Sequence, residues 1–568
     1  MLSLACAPNL AAQYFGQNKV RHRTLHFQVA KTQHFDIYYY PEEAAATQDV
    51  ARMAERWYTR LSGLLQHQLT TRQTLILYAT HADFEQTSVL PGMIEASVGG
   101  VTLSTGRKIV LPLAGPLGET DHVLGHELVH AFQYDMTTSR GQPLVAGLPL
   151  WFVEGMAEYL SLGPEDAHTA MWLRDAVARD AMPTVQTLSD TRKYFPYRFG
   201  QAFWAYVGGR YGDDKIAPLL IAASQSGSVE AGIRAVLHLS PEELSSGWKD
   251  AAIAAEQPVL AATAPLARAD LLVAQSSGGG RIHASPAVSP DGNWVMFYSE
   301  RGLFAIDLYL ADAHTGRVVR RITATAVDAH YQNLQFISSA GAWSPDSRRF
   351  AFGHVQSGQA RISIYDLQAQ AVTASFPIAP AGAASAEVFS PTWSPDGKQI
   401  AFSANVGGLT NLYLLNTGSG AVRRLTDDAY AALQPAWSPD GRAIAFVTDR
   451  FTSSLNDLDF GAYRLALLDP ASGAVTPALP GDPAGNQTNP QWGPGGASLY
   501  YLSDASGVPN LYRFDRASGA STSGTRAAGA LGPAPAIAQL TNLQTGVSGI
   551  TALSPAFSVA SGSGAVIY

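Results

Sequence analysis

The sequence predicts two domains of different fold class: an α+β domain followed by an all-β propeller of about six blades. Three observations predict it. Apolar residues recur at helical spacing, between strand-like runs, from about residue 22 to 255. From about residue 275 that period vanishes, and a repeat built on Pro-Asp-Gly turns takes over. The 568 residues, 46% hydrophobic and 15% charged, supply enough apolar material for more than one core, which excludes global disorder.

The elements follow in chain order. LSLACAPNLAA (2–12) reads as the remnant of an export signal, with small Ala11 and Ala12 before a cut at Gln13. Residues 1–21 are therefore expected to be a leader or a disordered tail. HFDIYYY (34–40) and TLILYAT (74–80), rich in β-branched and aromatic residues, read as strands, as does GRKIVLPL (106–113). VARMAERWYTRLSGLLQHQL (50–69) places Val50, Met53, Trp57, Leu61 and Leu64–Leu65 on one helix face. Further helices are expected at about 120–134, 149–161, 167–180, 199–211, 213–225 and 241–256. PVLAATAPLARA (258–269) reads as a linker, so the domains are drawn at 22–255 and 275–568, with 256–274 between them.

The repeat marks are VSPDG (288–292), WSPDS (343–347), WSPDG (393–397), WSPDG (437–441), WGPGG (492–496) and LSPAF (553–557). Proline presets φ and glycine accepts a positive one, which is turn chemistry. Alternating strands follow most marks, as in KQIAFSA and RAIAFVT, and second strands such as NLYLLN (411–416) come after them. A unit of ~45–55 residues with about four strands is a propeller blade. The sixth unit is short. It is expected to stay incomplete or to be closed by LLVAQSS (271–277) from the start of this half. SGASTSGTRAAGALGPAPA (518–536) is of low complexity and reads as a disordered loop.

Several classes are excluded. Lys+Arg 38 against Asp+Glu 46 gives a net charge of −8, which argues against a nucleic-acid partner. No apolar run of ~18 residues offers a transmembrane segment. The single cysteine, Cys6, permits neither an intramolecular disulfide nor a Cys-based metal cluster.

The sharpest chemical signal is His126-Glu127-Leu128-Val129-His130. On a helix, positions i and i+4 face one side, so both imidazoles can share a zinc ion while Glu127 lies beside them. Thr120 or Asp121 is expected to cap that helix, and His122 to lie on its surface. Twenty-three residues separate His130 from Glu154, which stands in LPLWFVEGMAEYL with Glu158 one turn later on the same face. A catalytic zinc takes three protein ligands and keeps one position open, and two His plus one Glu from a second helix is a standard set.

HELVH followed by WFVEGMAEY resembles the gluzincin branch of the zincin metallopeptidases, in particular the peptidase-MA-like families, over about residues 22–255. The resemblance implies a zincin-like α+β fold and a Zn2+ cofactor. It makes Glu154 the third ligand and Glu158 the residue that orients a ligand histidine; the long spacing keeps Glu158 as the alternative ligand. ASVGGVTLSTGRKIVLPL (96–113) fits the strand pair before the active helix, whose edge binds an extended substrate backbone in zincins. KYFPYRFGQAFWAYVGGRYGDDK (193–215) resembles the following helical subdomain. Tyr194, Tyr197, Tyr206 and Tyr211 are candidates for a phenol on the oxyanion, with Tyr197 or Tyr194 favoured by position. The implied activity is metal-assisted hydrolysis of a peptide or protein substrate, with Glu127 as general base. The missing amine-binding motif of aminopeptidase gluzincins leans toward an endopeptidase.

The SPDG repeats resemble the propeller of the TolB family and its WD40-like (PD40) repeats. That resemblance implies the fold and says little about ligand: the propeller is expected to recruit or screen substrates, or to dock to an envelope protein partner, and the leader-like segment makes the expected location periplasmic or extracellular, with membrane anchoring and a cytoplasmic location left open. The alternative is a catalytically silent envelope scaffold that binds through the propeller. A prolyl oligopeptidase-type enzyme is rejected, because no α/β-hydrolase domain follows and GVSGI (546–550) is not a nucleophile elbow.

Overall fold

The computed structural model describes residues 21–568 apart from 91, 93, 104–106, 267–270, 281, 303–304, 329, 482 and 517–535. The leader-like segment 2–12, with Cys6, lies outside the described residues, as do part of the 256–274 segment and nearly all of the 518–536 stretch.

The head carries a five-stranded sheet. Strands β1 (Gln28–Lys31), β2 (Phe35–Tyr39), β3 (Gln73–Tyr78), β4 (Val101–Leu103) and β5 (Lys108–Pro112) lie in the order β1-β2-β3-β5-β4. The inner three run parallel, and both edge strands run antiparallel to their neighbours. Alternation sets the faces. Phe35, Ile37, Leu75, Leu77, Ile109 and Leu111 pack under α1 (Ala44–Leu65), with Tyr40, Tyr78 and Val110 on the other face around α2 (His81–Phe84). The helices α3 (Leu117–Thr137), α4 (Leu150–Leu162), α5 (Ala167–Ala178), α6 (Pro196–Tyr211), α7 (Ile216–Ser226), α8 (Val229–Leu237) and α9 (Pro241–Ala262) complete the head. β1 and α8 were not expected from the sequence. Thr120 and Asp121 do not cap α3; the helix starts earlier, after Pro116, and both are buried inside it. Trp57 Nε1 donates to Asp121 Oδ1 at 2.9 Å, and Arg56 ion-pairs with its other oxygen at 2.6 Å. The carboxylate thus ties α3 to α1.

Among the described residues the propeller has five four-stranded blades, spanning 283–321, 342–377, 387–424, 433–477 and 487–539, rather than about six. In each, the first strand lies innermost and meets its counterparts in the neighbouring blades. The sixth mark folds only into a two-stranded sheet, Ser558–Val559 with Val566–Ile567, wedged between the fifth and first blades. Residues 558–568 hold a Ser-Gly-Ser-Gly turn between these two short strands. LLVAQSS does not close this unit as a strand; Leu272 and Val273 pack beside Ile567 instead. Trp343, Trp393 and Trp492 each donate an indole N–H to a carbonyl of the preceding blade, at 2.8–3.1 Å, stitching the ring together. The Pro-Asp-Gly turns surround a cavity of about 360 Å³ at one end of the central channel, lined by Pro286, Pro391, Pro435, Pro490 and the tryptophans.

The head sits on the opposite end. Asn405 Nδ2, at the far end of its blade from the Pro-Asp-Gly turn, donates to the carbonyls of Ala79 and Leu113. A propeller loop, 449–463, reaches into the head. Leu458 is buried in the head's own core, Arg52 and Arg56 donate to carbonyls of Leu455, Asn456 and Leu458, and Tyr463 donates to Glu119 at the start of α3. No helix among the described residues is long and apolar enough to cross a membrane.

Candidate active site

α3 and α4 bring the chemistry together. α3 crosses α1 closely because residue 125 is glycine; a Cβ there would meet the Trp57 ring at 2.6 Å. α4 meets α6 where Gly155 faces Gly200, and a Cβ on either would overlap the other helix's backbone. Gly155 thus explains the small residue between Glu154 and Glu158, and it draws Tyr197 on α6 toward α3.

His126, His130 and Glu154 converge. Glu154 Oε2 lies 3.2 Å from both His126 Nε2 and His130 Nε2, and the two nitrogens are 3.1 Å apart. The other nitrogen of each ring is committed. His126 Nδ1 faces Glu158 Oε1 at 3.0 Å, and His130 Nδ1 faces Gln133 Oε1 at 2.8 Å. With both Nδ1 atoms donating, both Nε2 lone pairs point at a carboxylate oxygen. Such a triad is stable only around a cation or a proton. Ligand atoms ~2.1 Å from a tetrahedral ion stand about 3.4 Å apart, close to the spacing here, so the donor set fits a divalent metal. Burial disfavours charge on His126, yet Glu154 and Glu158 outweigh it and raise its pKa. Against their own desolvation, Glu154 is held low by His126 and His130, and Glu158 by His122 and His126.

Glu127 is buried beside this triad and is not one of its three converging atoms. The Thr102 hydroxyl on edge strand β4 lies 2.6 Å from Glu127 Oε2 and 2.8 Å from its carbonyl oxygen. The Gly100 backbone passes so close that a Cβ would meet the Glu127 carboxylate at 3.0 Å. Tyr197 stacks on His126, with ring centroids 6.1 Å apart, and hydrogen-bonds Glu154. Burial first, then the Glu154 and Glu127 charges, push its phenol up, so it remains a proton donor. Tyr194 packs on Phe199, and Tyr206 on Tyr211.

Four residues at the site were not singled out by sequence. Gln133 orients His130, and its i, i+3 spacing from that histidine is the one signal for it. Thr102 holds Glu127. Arg198 ion-pairs with Glu158 and Asp166 at 3.3 Å each. Tyr134 stacks on His130. His122 is not merely a surface residue: its Nε2 is 3.6 Å from Glu158, and with His126 and Glu158 it makes a second group able to hold an ion.

The comparisons with known proteins agree with this order of parts. Residues 45–254 match the Peptidase MA superfamily. Residues 331–454 match the TolB beta propeller domain, PD40. The Tol-Pal system protein TolB of Anaeromyxobacter dehalogenans (strain 2CP-C) is 29% identical over 139 residues, which are 24% of this chain and 30% of that protein. The chain thus spans under a third of the length of the curated relatives it matches. Among solved structures, TolB from Acinetobacter baumannii is 24% identical over 41% of this chain and 52% of its own, with a TM-score of 0.32. The putative TolB from Agrobacterium tumefaciens is 21% identical over 41% of this chain and 77% of its own, with a TM-score of 0.31.

Proposed function

We propose that the protein is a zinc-dependent peptidase of gluzincin type, acting as an endopeptidase, with a zincin-like head at 22–255 and the propeller, from 275 on, as a protein-binding module. One observation carries the reading. The imidazole lone pairs of His126 and His130 and the Glu154 carboxylate converge on one point, with Glu127 buried alongside. A metal held by His126, His130 and Glu154 would supply Lewis-acid polarisation and a water acidic near neutral pH.

Glu127 acts as general base. Thr102 fixes one of its oxygens, and the other takes a proton from the attacking water. As the water oxygen bonds to the scissile carbonyl carbon, the phenol of Tyr197 donates to the oxygen that gains charge. The C–N bond then breaks, and Glu127 returns the proton to the leaving amine. Glu158 holds His126 through Nδ1, with Arg198 neutralising its second oxygen.

The apolar segment 2–12 supports export, and the likeness to a Tol-Pal system protein supports a partner at the propeller in the cell envelope. Zinc content and cleavage of an unbiased peptide library test the reading on wild type and Glu127→Gln. We expect one zinc per chain in both, and a loss of roughly 10²–10⁴-fold in rate for the variant. Zinc in both without cleavage in either would leave a silent binding scaffold. No zinc in wild type would overturn the reading.

A further inference from the structure

Two exposed large aromatic side chains stand together beside the candidate site. Trp172 on α5 is 40% exposed, and Phe195, just before α6, is 42% exposed. Their ring centroids are 5.6 Å apart. Phe195 packs at 5.6 Å on Tyr197, and Tyr197 lies over His126. An unbroken aromatic surface therefore runs from a metal-ligand candidate out to solvent. Single exposed apolar residues are ordinary, but a contiguous patch that abuts reactive groups marks a contact surface. The rings are held from below: Trp172 also rests on buried Phe199 at 6.3 Å, and Phe195 is fixed by Pro196 after it. Of the cations close in sequence, Arg198 is tied to Glu158 and Asp166 and Arg174 is buried against Glu256, while Lys193 is exposed; the two rings themselves offer apolar recognition.

We propose that Trp172 and Phe195 form a subsite for an aromatic or large aliphatic side chain of a peptide substrate. The inference rests on the peptidase reading and specifies its substrates. Ring spacings place Phe195 within about 12 Å of His126. An extended peptide advances ~3.4 Å per residue, so the side chain recognised at Phe195 lies at most about three or four residues from the scissile bond.

The test compares wild type, Trp172→Ala, Phe195→Ala and the double variant on peptides with Phe, Leu or Ser at each position around the cut. Wild type should prefer Phe or Leu over Ser by about 10- to 100-fold in kcat/KM at one such position, the effect of burying one large apolar side chain. The preference should collapse toward unity in the double variant and return with Trp172→Phe. Unchanged zinc content and melting temperature would show that the fold is intact. A preference that survives in the double variant, or no preference in wild type, overturns the proposal. Binding of the Phe peptide to Glu127→Gln by titration calorimetry reads the subsite without turnover: affinity should drop about 10-fold or more when both rings are removed, and equal affinity overturns the proposal. Failure of the peptidase reading shows separately, as no cleavage by wild type or equal cleavage by wild type and Glu127→Gln.

Discussion

Replacing Gln133 separates the two tasks of one buried amide. Its Oε1 accepts from His130 Nδ1 at 2.8 Å, its Nε2 donates to the Val153 carbonyl of α4 at 2.9 Å, and the side chain is wholly buried. Gln133→Leu removes both bonds. The bond to Val153 contributes ~1 kcal/mol, and the orphaned His130 N–H costs ~1–3 kcal/mol, so stability should fall by about 2–4 kcal/mol. His130 also loses the partner that fixes its ring, and zinc affinity should fall about 10- to 100-fold. Gln133→Glu keeps an acceptor for His130, but loses the donor to Val153 and sets a buried carboxylate against that carbonyl. It should lose stability yet bind zinc within about threefold of wild type. Urea denaturation and competitive zinc titration read the two quantities. Wild-type zinc affinity in Gln133→Leu would refute the claim that this amide sets the tautomer of His130.

Two further predictions follow from burial. Leu458→Ala, a change in the propeller loop, should cost about 2–5 kcal/mol, because the side chain fills the head's core; differential scanning calorimetry should show the head's transition lowered, and an unchanged melt would contradict the packing. His354 is buried against Tyr331 and Phe352, and burial, with Arg361 second, holds its pKa down to about 4. Because the unfolded ring binds a proton near 6.5 and the folded one does not, stability should fall as pH drops from about 6.5 to 4, by ~3 kcal/mol, and be flat below. His354→Phe should remove this slope in denaturation series at stepped pH, while Ser363 keeps Ser375 as a partner; a slope that persists would assign it elsewhere.

The sequence was informative where one period or one turn carries the signal. The 3.6-residue pattern announced α1, α3–α7 and α9, and Pro-Asp-Gly announced the blades, because both are local. The candidate ligands His126 and His130 were legible because their i, i+4 spacing faces both to one side of a helix, and Glu154 through the resemblance of WFVEGMAEY to the peptidase-MA-like pattern. The number of complete blades was not. It depends on whether 558–568 finds partners across the ring, which is a long-range matter. Thr102 and Arg198 were equally silent, since a threonine in a strand and an arginine in a helix look like surface until β4 is brought against α3 and α6 against α4. The cap of α3 was misjudged because Asp121 finds Trp57 and Arg56, partners 64 and 65 positions away, and no local rule contains them.

The head and the open channel mouth lie on opposite sides of the ring. The head is gripped near Asn405, and the mouth is bordered by Pro290, Pro345, Pro395 and Pro439 at the other ends of the same blades. The longest inner strand, Glu387–Trp393 with seven residues, sets those sides roughly 20–25 Å apart. A molecule moored in the mouth would therefore be separated from the head by the full depth of the ring.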